Sequence, residues 1–222
     1  MRNKVNVMAG TPIDTKMGAD YLAQKNPSLE LYPFNLSPDP MAQTVWQYGS
    51  EESKRARMVE VFDSLEAQGV RDFFIYCNSL AAAFDFDSFA AERGVNIVTP
   101  LQVYRSLAKR YRCIAFNAAN LLSAYGIDKV LKEANLDLDV IGMGHLAIVK
   151  DIEAGFLPEE IIKRQGLVQL SEFFKASGAE AWLLGCTHFP YLKKALEERI
   201  DLPIIDPADE MYDMLIARMD RD

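Results

Sequence analysis

The sequence predicts an α/β fold made of two related halves, each organised around its own parallel sheet. Three observations carry this expectation. Short β-rich runs alternate along the chain with longer segments whose apolar residues recur every three or four positions, the alternation of strand and helix that α/β units produce. Gly69 and Gly178 each precede such a run and Cys77 and Cys186 each close it, so both pairs lie 109 residues apart. Half of the 222 residues are apolar, which suits a sizeable core and argues against disorder.

Taken in order, the strand candidates are "KVNVMAG", "LELYPF", "DFFIYC" and "NIVTP" in the first half, then "RCIAF", "DLDVIG", "AWLLGC" and "LPIIDP" in the second. The halves match beyond the cysteines. "VNVMAGTP" resembles "CIAFNAAN" at a similar offset, and "NIVTPLQ" resembles "PIIDPAD", with Pro100 and Pro207 107 residues apart. A glycine at a helix C-terminus is ordinary; a cysteine at the end of both following strands is less so. The boundaries expected are 1–98 with 206–222 for the first domain, which takes back the C-terminal segment, and 99–205 for the second.

In open α/β sheets, ligands bind at the carboxyl ends of the strands. Two halves facing each other would bring Cys77 and Cys186 to opposite walls of one cleft. A single cysteine with a histidine nearby suggests a nucleophile for group transfer. A pseudo-symmetric pair suggests proton transfer on both faces of one carbon, which needs one thiolate and one thiol at once. Because a free thiol titrates near about 8.5, each cysteine needs a neighbour to hold or release its proton. His188 stands two residues after Cys186, and the loop "GTPIDTKMG" offers Asp14 and Thr15 to Cys77. Asp14 also reads as the start of a helix, "DTKMGADYL".

Other residues have plainer readings. Cys113 belongs with core cysteines, His145 with satisfied histidines, and Trp46 and Trp182 with packing; "FDFDSF" reads as a helix anchored on the core and "KDIEAGFLPEEIIKRQ" as a solvated helix face. With two histidines and no second Cys/His pair at zinc spacing, no metal site is expected. No glycine-rich phosphate loop with a Schiff-base lysine points to pyridoxal phosphate, so no cofactor is expected. A net charge of -8 and a pI near 4.9 work against a nucleic-acid partner. The first residues offer only about six weakly apolar positions before Pro12, too few for a signal peptide. No run approaches the roughly 20 apolar residues of a membrane span. The expected location is therefore cytoplasmic, with reduced thiols.

"DTKMG", "QYGSEES", "YCNS", "IVKDIEAG" and "LGCTHFPYL" resemble, in order and spacing, the motifs of the cofactor-independent Asp/Glu racemase superfamily, most of all its glutamate racemases. The resemblance covers essentially the whole chain, and "LGCTHFPYL" is its most specific piece, because the His after Cys-Thr is similar to the glutamate enzymes, whereas aspartate racemases tend to have Glu there. It implies two flavodoxin-like domains, interconversion of L- and D-glutamate or a related acidic amino acid without a cofactor, a setting in peptidoglycan biosynthesis, and a homodimer. It also implies site residues. Cys77 and Cys186 would be the acid/base pair, with Asp14 assisting the first and His188 the second. Thr15, Tyr48, Gly49, Asn78, Ser79, Glu153 and Thr187 would line the substrate site. Where the glutamate enzymes show a Thr-x-x-Thr cradle, "NAAN" offers the amides of Asn117 and Asn120, and Lys16 stands in place of a glycine. Aspartate racemase, another superfamily isomerase, lyase or hydrolase using one cysteine, and a non-catalytic ligand-binding homologue stay as alternatives.

Overall fold

The computed structural model describes residues 3–220. They form two compact units, one of residues up to Pro100 together with those from Ala208 onward, the other of Leu101–Pro207. In the first, β1 (Lys4–Ala9), α1 (Pro12–Lys25), β2 (Glu30–Asn35), α2 (Pro40–Gln47), α3 (Glu51–Glu66), β3 (Asp72–Ile75), α4 (Asn78–Ala83), α5 (Phe86–Arg93) and β4 (Asn96–Val98) follow in order. The second begins with α6 (Pro100–Leu107) and continues through β5 (Cys113–Ala118), α7 (Leu121–Ala134), β6 (Asp139–Gly144) and α8 (Leu146–Glu153). It ends with α9 (Pro158–Arg164), α10 (Leu167–Ala176), β7 (Ala181–Gly185), α11 (Pro190–Glu197) and β8 (Ile204–Ile205), before α12 (Ala208–Met219) returns to the first unit.

Each unit contains a four-stranded, all-parallel sheet, ordered β2-β1-β3-β4 in one and β6-β5-β7-β8 in the other. The α/β class and the repeated architecture expected from the sequence are therefore present. Helices on both faces bury the central strands, so β1, β3, β5 and β7 read as nearly unbroken apolar runs. β2 lies at an edge, where Pro33, which lacks an N–H, is tolerated.

The first core is aromatic. Phe62 stacks on Phe73 at 4.1 Å and meets Phe89 edge-on at 5.0 Å, while Phe84 packs edge-on against Phe86 and Phe89; "FDFDSF" thus anchors α5 as expected. α12 is tied to this unit by Arg218, whose Nη1 donates to the Ile97 carbonyl at 2.8 Å, and by Asp209, which accepts from the Tyr21 hydroxyl at 2.7 Å. The second core centres on Trp182, fully buried and edge-on to Phe174 at 5.3 Å.

The repeated glycines close two helices identically. Gly69 has φ +82° and Gly178 φ +92°. Around them Gly69 N–H donates to Glu66 and Val70 N–H to Leu65, and likewise Gly178 N–H to Lys175 and Ala179 N–H to Phe174. Both are the paired bonds of a Schellman motif, which requires the left-handed conformation that glycine adopts without strain. The "KDIEAGFLPEEIIKRQ" stretch departs from its expected role as one solvated face. Gly155 (φ +79°) and Pro158 divide it between two helices. Asp151, Ile161 and Ile162 turn inward, Asp151 accepting from Gln165 Nε2 at 2.7 Å. Among the described residues no helix is long and apolar enough to cross a membrane.

Two stability measurements follow from this packing. At Gly185 an added Cβ would lie 2.7 Å from the Asn117 carbonyl oxygen and 2.8 Å from Ile127 Cδ1. Gly185→Ala is expected to lower unfolding free energy by about 1–3 kcal/mol in urea titrations, as overpacking does. At the start of β5 and β7, Glu180 accepts from the Arg112 N–H at 2.8 Å and from its guanidinium at 3.1 Å. Those contacts hold its carboxyl below its ordinary 4.5. A carboxyl whose folded pKa is depressed stabilises the fold above its unfolded value, and that stability is lost as pH falls through the folded value. Glu180→Gln should therefore be less stable than the parent protein at neutral pH, with the two stability curves converging in acid.

Candidate active site

In the first unit, β1 runs into Gly10 and Thr11 before α1. Thr11 is the N-cap, so the helix starts at Pro12 and Asp14 is its third residue, a correction to the reading that began the helix at Asp14. The Asp14 carboxylate closes a capping box. Its Oδ1 accepts the Thr11 N–H at 2.6 Å and the Thr11 hydroxyl at 2.9 Å, and its Oδ2 accepts the Gly10 N–H at 3.3 Å. Thr15 donates its hydroxyl to the Thr11 carbonyl at 2.8 Å, which commits its proton to the helix. Lys16 points to solvent.

β3, the neighbour of β1 in the sheet, leads through Tyr76 to Cys77, the N-cap residue of α4. Gly18 lets α1 approach this strand end: a Cβ there would fall 2.8 Å from the Tyr76 ring. The loops carrying Asp14 and Cys77 thus leave adjacent strands at the same sheet edge. Cys77 is buried, its Sγ 3.3 Å from the Ser79 hydroxyl, with Asn78 and Ser79 buried beside it. Tyr48 and Gly49 follow α2, and the Tyr48 ring is exposed. Ser37 and Gln43, which carry no motif, lie against Gly10: Ser37 N–H donates to its carbonyl at 2.9 Å, and Gln43 packs on its Cα.

The second unit repeats the plan with different partners. β5 carries Asn117, buried, whose Oδ1 accepts the Trp182 indole N–H at 2.7 Å. Asn120 caps α7, its Oδ1 accepting from the Ser123 N–H and hydroxyl, both at 2.9 Å. Each carboxamide oxygen is thus taken by an internal donor, which fixes the orientation of the amide and reserves Nδ2 as its donor. Gly144 lets β6 close on this turn, since a Cβ there would meet the Asn120 carbonyl carbon at 2.7 Å.

β7 leads into Cys186, Thr187 and His188, all buried. Cys186 Sγ stands 3.7 Å from His188 Nδ1, and His188 Nε2 is 3.0 Å from Glu153 Oε1. Glu153, read from the sequence as a residue lining the substrate site, is joined to the histidine from the end of α8. Sequence reasoning missed that pairing because the two are 35 residues apart, and in "LAIVKDIE" nothing sets Glu153 apart from its charged neighbours Lys150 and Asp151. A carboxylate only accepts, so Nε2 carries a proton and Nδ1 faces the sulfur. Thiol with imidazole and thiolate with imidazolium then share one set of heavy-atom positions, and the proton can move between them without rearrangement.

The remaining histidine and cysteine differ. His145 caps α8 and reaches Gln165 Oε1 with Nε2 at 3.0 Å. Cys113 lies at the opposite, N-terminal end of β5, and burial, with Asp139 and Glu180 nearby, pushes its thiol up. Among the described residues no cluster of three His, Cys, Asp or Glu side chains could hold a metal ion.

The carboxylate–imidazole contact makes a spectroscopic prediction. Long-range proton–nitrogen NMR at neutral pH should show His188 protonated at Nε2, and Glu153→Ala should remove that fixed pattern while His145 keeps its own. A fixed Nε2–H on His188 that survives Glu153→Ala would mean that Glu153 does not orient the ring.

Comparison with known proteins gives a consistent picture. No family model matches the chain. It is 27% identical over 172 residues to glutamate racemase 3 of Caldanaerobacter subterraneus, covering 74% of this chain and 62% of that protein. It is 29% identical over 163 residues to the glutamate racemase of Ectopseudomonas mendocina, covering 69% of this chain and 60% of that protein. The match therefore spans less than two thirds of these curated relatives' length. Among solved structures, the glutamate racemase of Francisella tularensis in complex with D-glutamate superposes with a TM-score of 0.78 at 19% identity, over 99% of this chain and 81% of that one. The aspartate racemase homologue of Pyrococcus horikoshii gives 0.69 at 19% identity, over 98% and 99%. In sequence and in fold the chain resembles the Asp/Glu racemase superfamily, and in sequence its glutamate racemases.

Proposed function

We propose that this chain is a cofactor-independent amino-acid racemase that interconverts the enantiomers of a small acidic amino acid, glutamate first, by two-base proton transfer at Cα. The observation that carries the reading is the buried Cys186–His188–Glu153 series at one strand end, together with Cys77 at the topologically equivalent strand end of the other sheet.

The division of labour follows from the side chains. Cys186 abstracts or delivers the α-proton, His188 exchanges a proton with its sulfur, and Glu153 holds the imidazole in the required tautomer. Cys77 does the same on the opposite face, with Asp14 as its assisting carboxylate. The α-proton of an amino acid is weakly acidic, so the carbanion-like state needs fixed dipoles and little water around it. The fixed amides of Asn117 and Asn120 support their use as donors to a substrate carboxylate, alongside Tyr48, Gly49, Asn78, Ser79 and Thr187, while Thr15, its hydroxyl proton committed to the helix, lines the site. The D-glutamate complex of the Francisella enzyme supports an acidic amino acid as the ligand class. A cytoplasmic homodimer serving peptidoglycan biosynthesis completes the reading.

A second reading is favoured by one observation: Cys186 has a histidine and a carboxylate behind it. That arrangement also suits a single-cysteine lyase or hydrolase in which Cys186 is the nucleophile and His188 its base.

Proton NMR of L-glutamate, and separately L-aspartate, in deuterated buffer decides between them. Racemisation predicts loss of the α-proton signal with appearance of the D-isomer. Cys77→Ser and Cys186→Ser should each lower the racemisation rate by about a hundredfold or more, the usual range for loss of a positioned acid or base, while Cys113→Ser leaves it unchanged. Full activity in either single variant would rule out two-base transfer, and survival of Cys77→Ser alone would favour the single-cysteine reading.

A further inference from the structure

α2 packs Trp46 on the first core but also turns two glutamines inward and two apolar residues outward. Its apolar Met41 and Val45 are 68% and 67% exposed, whereas Gln43 and Gln47 are 5% and 4% exposed. An amphipathic helix normally turns the other way, and a local rule broken in this manner tends to mark a functional position. Gln43 is the sharper case. Its Oε1 accepts the Ser37 hydroxyl at 3.0 Å, which leaves Nε2 as the inward group, and Nε2 is buried with no hydrogen-bond partner among the described residues. The carboxamide is pressed on Gly10, where a Cβ would lie 3.0 Å from Cδ and 3.3 Å from Nε2. The Gly10 N–H in turn donates to Asp14.

A buried primary amide with both N–H groups unsatisfied is costly unless an acceptor arrives. We propose that Gln43 is a specificity-determining residue whose Nε2 donates to a carboxylate oxygen of the amino acid bound at the strand ends of the first unit. This rests on the racemase reading above and extends it to a residue outside the shared motifs. Ser37 is the brace: it fixes the amide's orientation, so the donor is presented before ligand arrives. A neutral donor suits the place, because it attracts a carboxylate without forming an ion pair with Asp14.

Gln43→Glu is the decisive substitution. It keeps the size and an acceptor for Ser37 but replaces the inward donor with an oxygen. In the deuterium-exchange assay with L-glutamate, KM should rise on the order of a hundredfold, as like charges are brought together, with kcat moving much less. Gln43→Met, which keeps the shape but not the amide, should raise KM about tenfold, as for a lost hydrogen bond to a charged group, with an unchanged or higher thermal midpoint. If Gln43→Glu does not fold, Gln43→Met decides alone. An unmoved KM with a lowered midpoint would show that Gln43 only braces α2 and would overturn the proposal. A parent protein that exchanges glutamate while both variants keep its KM would refute the assignment and leave the racemase reading standing. A parent protein that neither binds nor exchanges glutamate or aspartate would overturn both.

Discussion

Parallel pairing is the constraint on which the rest depends. When every strand of a sheet runs the same way, all strand-to-helix turns emerge along one edge. With the first strand of each unit placed second in its sheet, β1 lies beside β3 and β5 beside β7 at the point where the connections diverge. Whatever residues close those strands are gathered without any further device. In one unit they are Gly10–Asp14 and Cys77; in the other, Asn117–Asn120 and Cys186–His188. The close approaches at Gly18, Gly144 and Gly185 draw the neighbouring segments in against them.

Within that common plan the two ends satisfy their buried polar groups differently. A buried carboxylate or imidazole is tolerated only with partners. Asp14 finds its partners locally, in Gly10 and the N-cap Thr11, so its position is set by five consecutive residues. His188 finds its partner across the unit, on α8, so its position depends on tertiary packing. The second arrangement is the more specific in geometry and the more exposed to disruption, since a shift of α8 would leave the imidazole unoriented. The first survives such shifts but spends its carboxylate oxygens on three internal donors.

This contrast also explains how much was legible in the sequence. Strand ends, both glycine turns, both cysteines and His188 are local features, written as period-two or apolar runs with punctuation at fixed offsets. Thr11 was overlooked as the cap because Pro12 masks the start of α1, although Thr-Pro at N-cap and N1 is a favoured opening. Pairs joined over long separations leave no periodic trace: Asn117 with Trp182, 65 residues apart, and Glu153 with His188, 35 apart. Asn117 shows the consequence. By type and place it reads as a ligand donor, and only the indole across the sheet reveals that half of its carboxamide is already committed.

α2 carries that lesson one step further. Apart from Gln47, which opens "QYGSEES", it carries no motif. Its Met41 and Val45 lie one helical turn apart, the spacing of a core face, yet they face solvent while the two glutamines face in. Trp46, on the same helix, packs on the first core, and Gln43 is held by the Ser37 hydroxyl and by its packing on Gly10. The element with the weakest sequence signal is therefore the one whose inward side chains only the fold reveals.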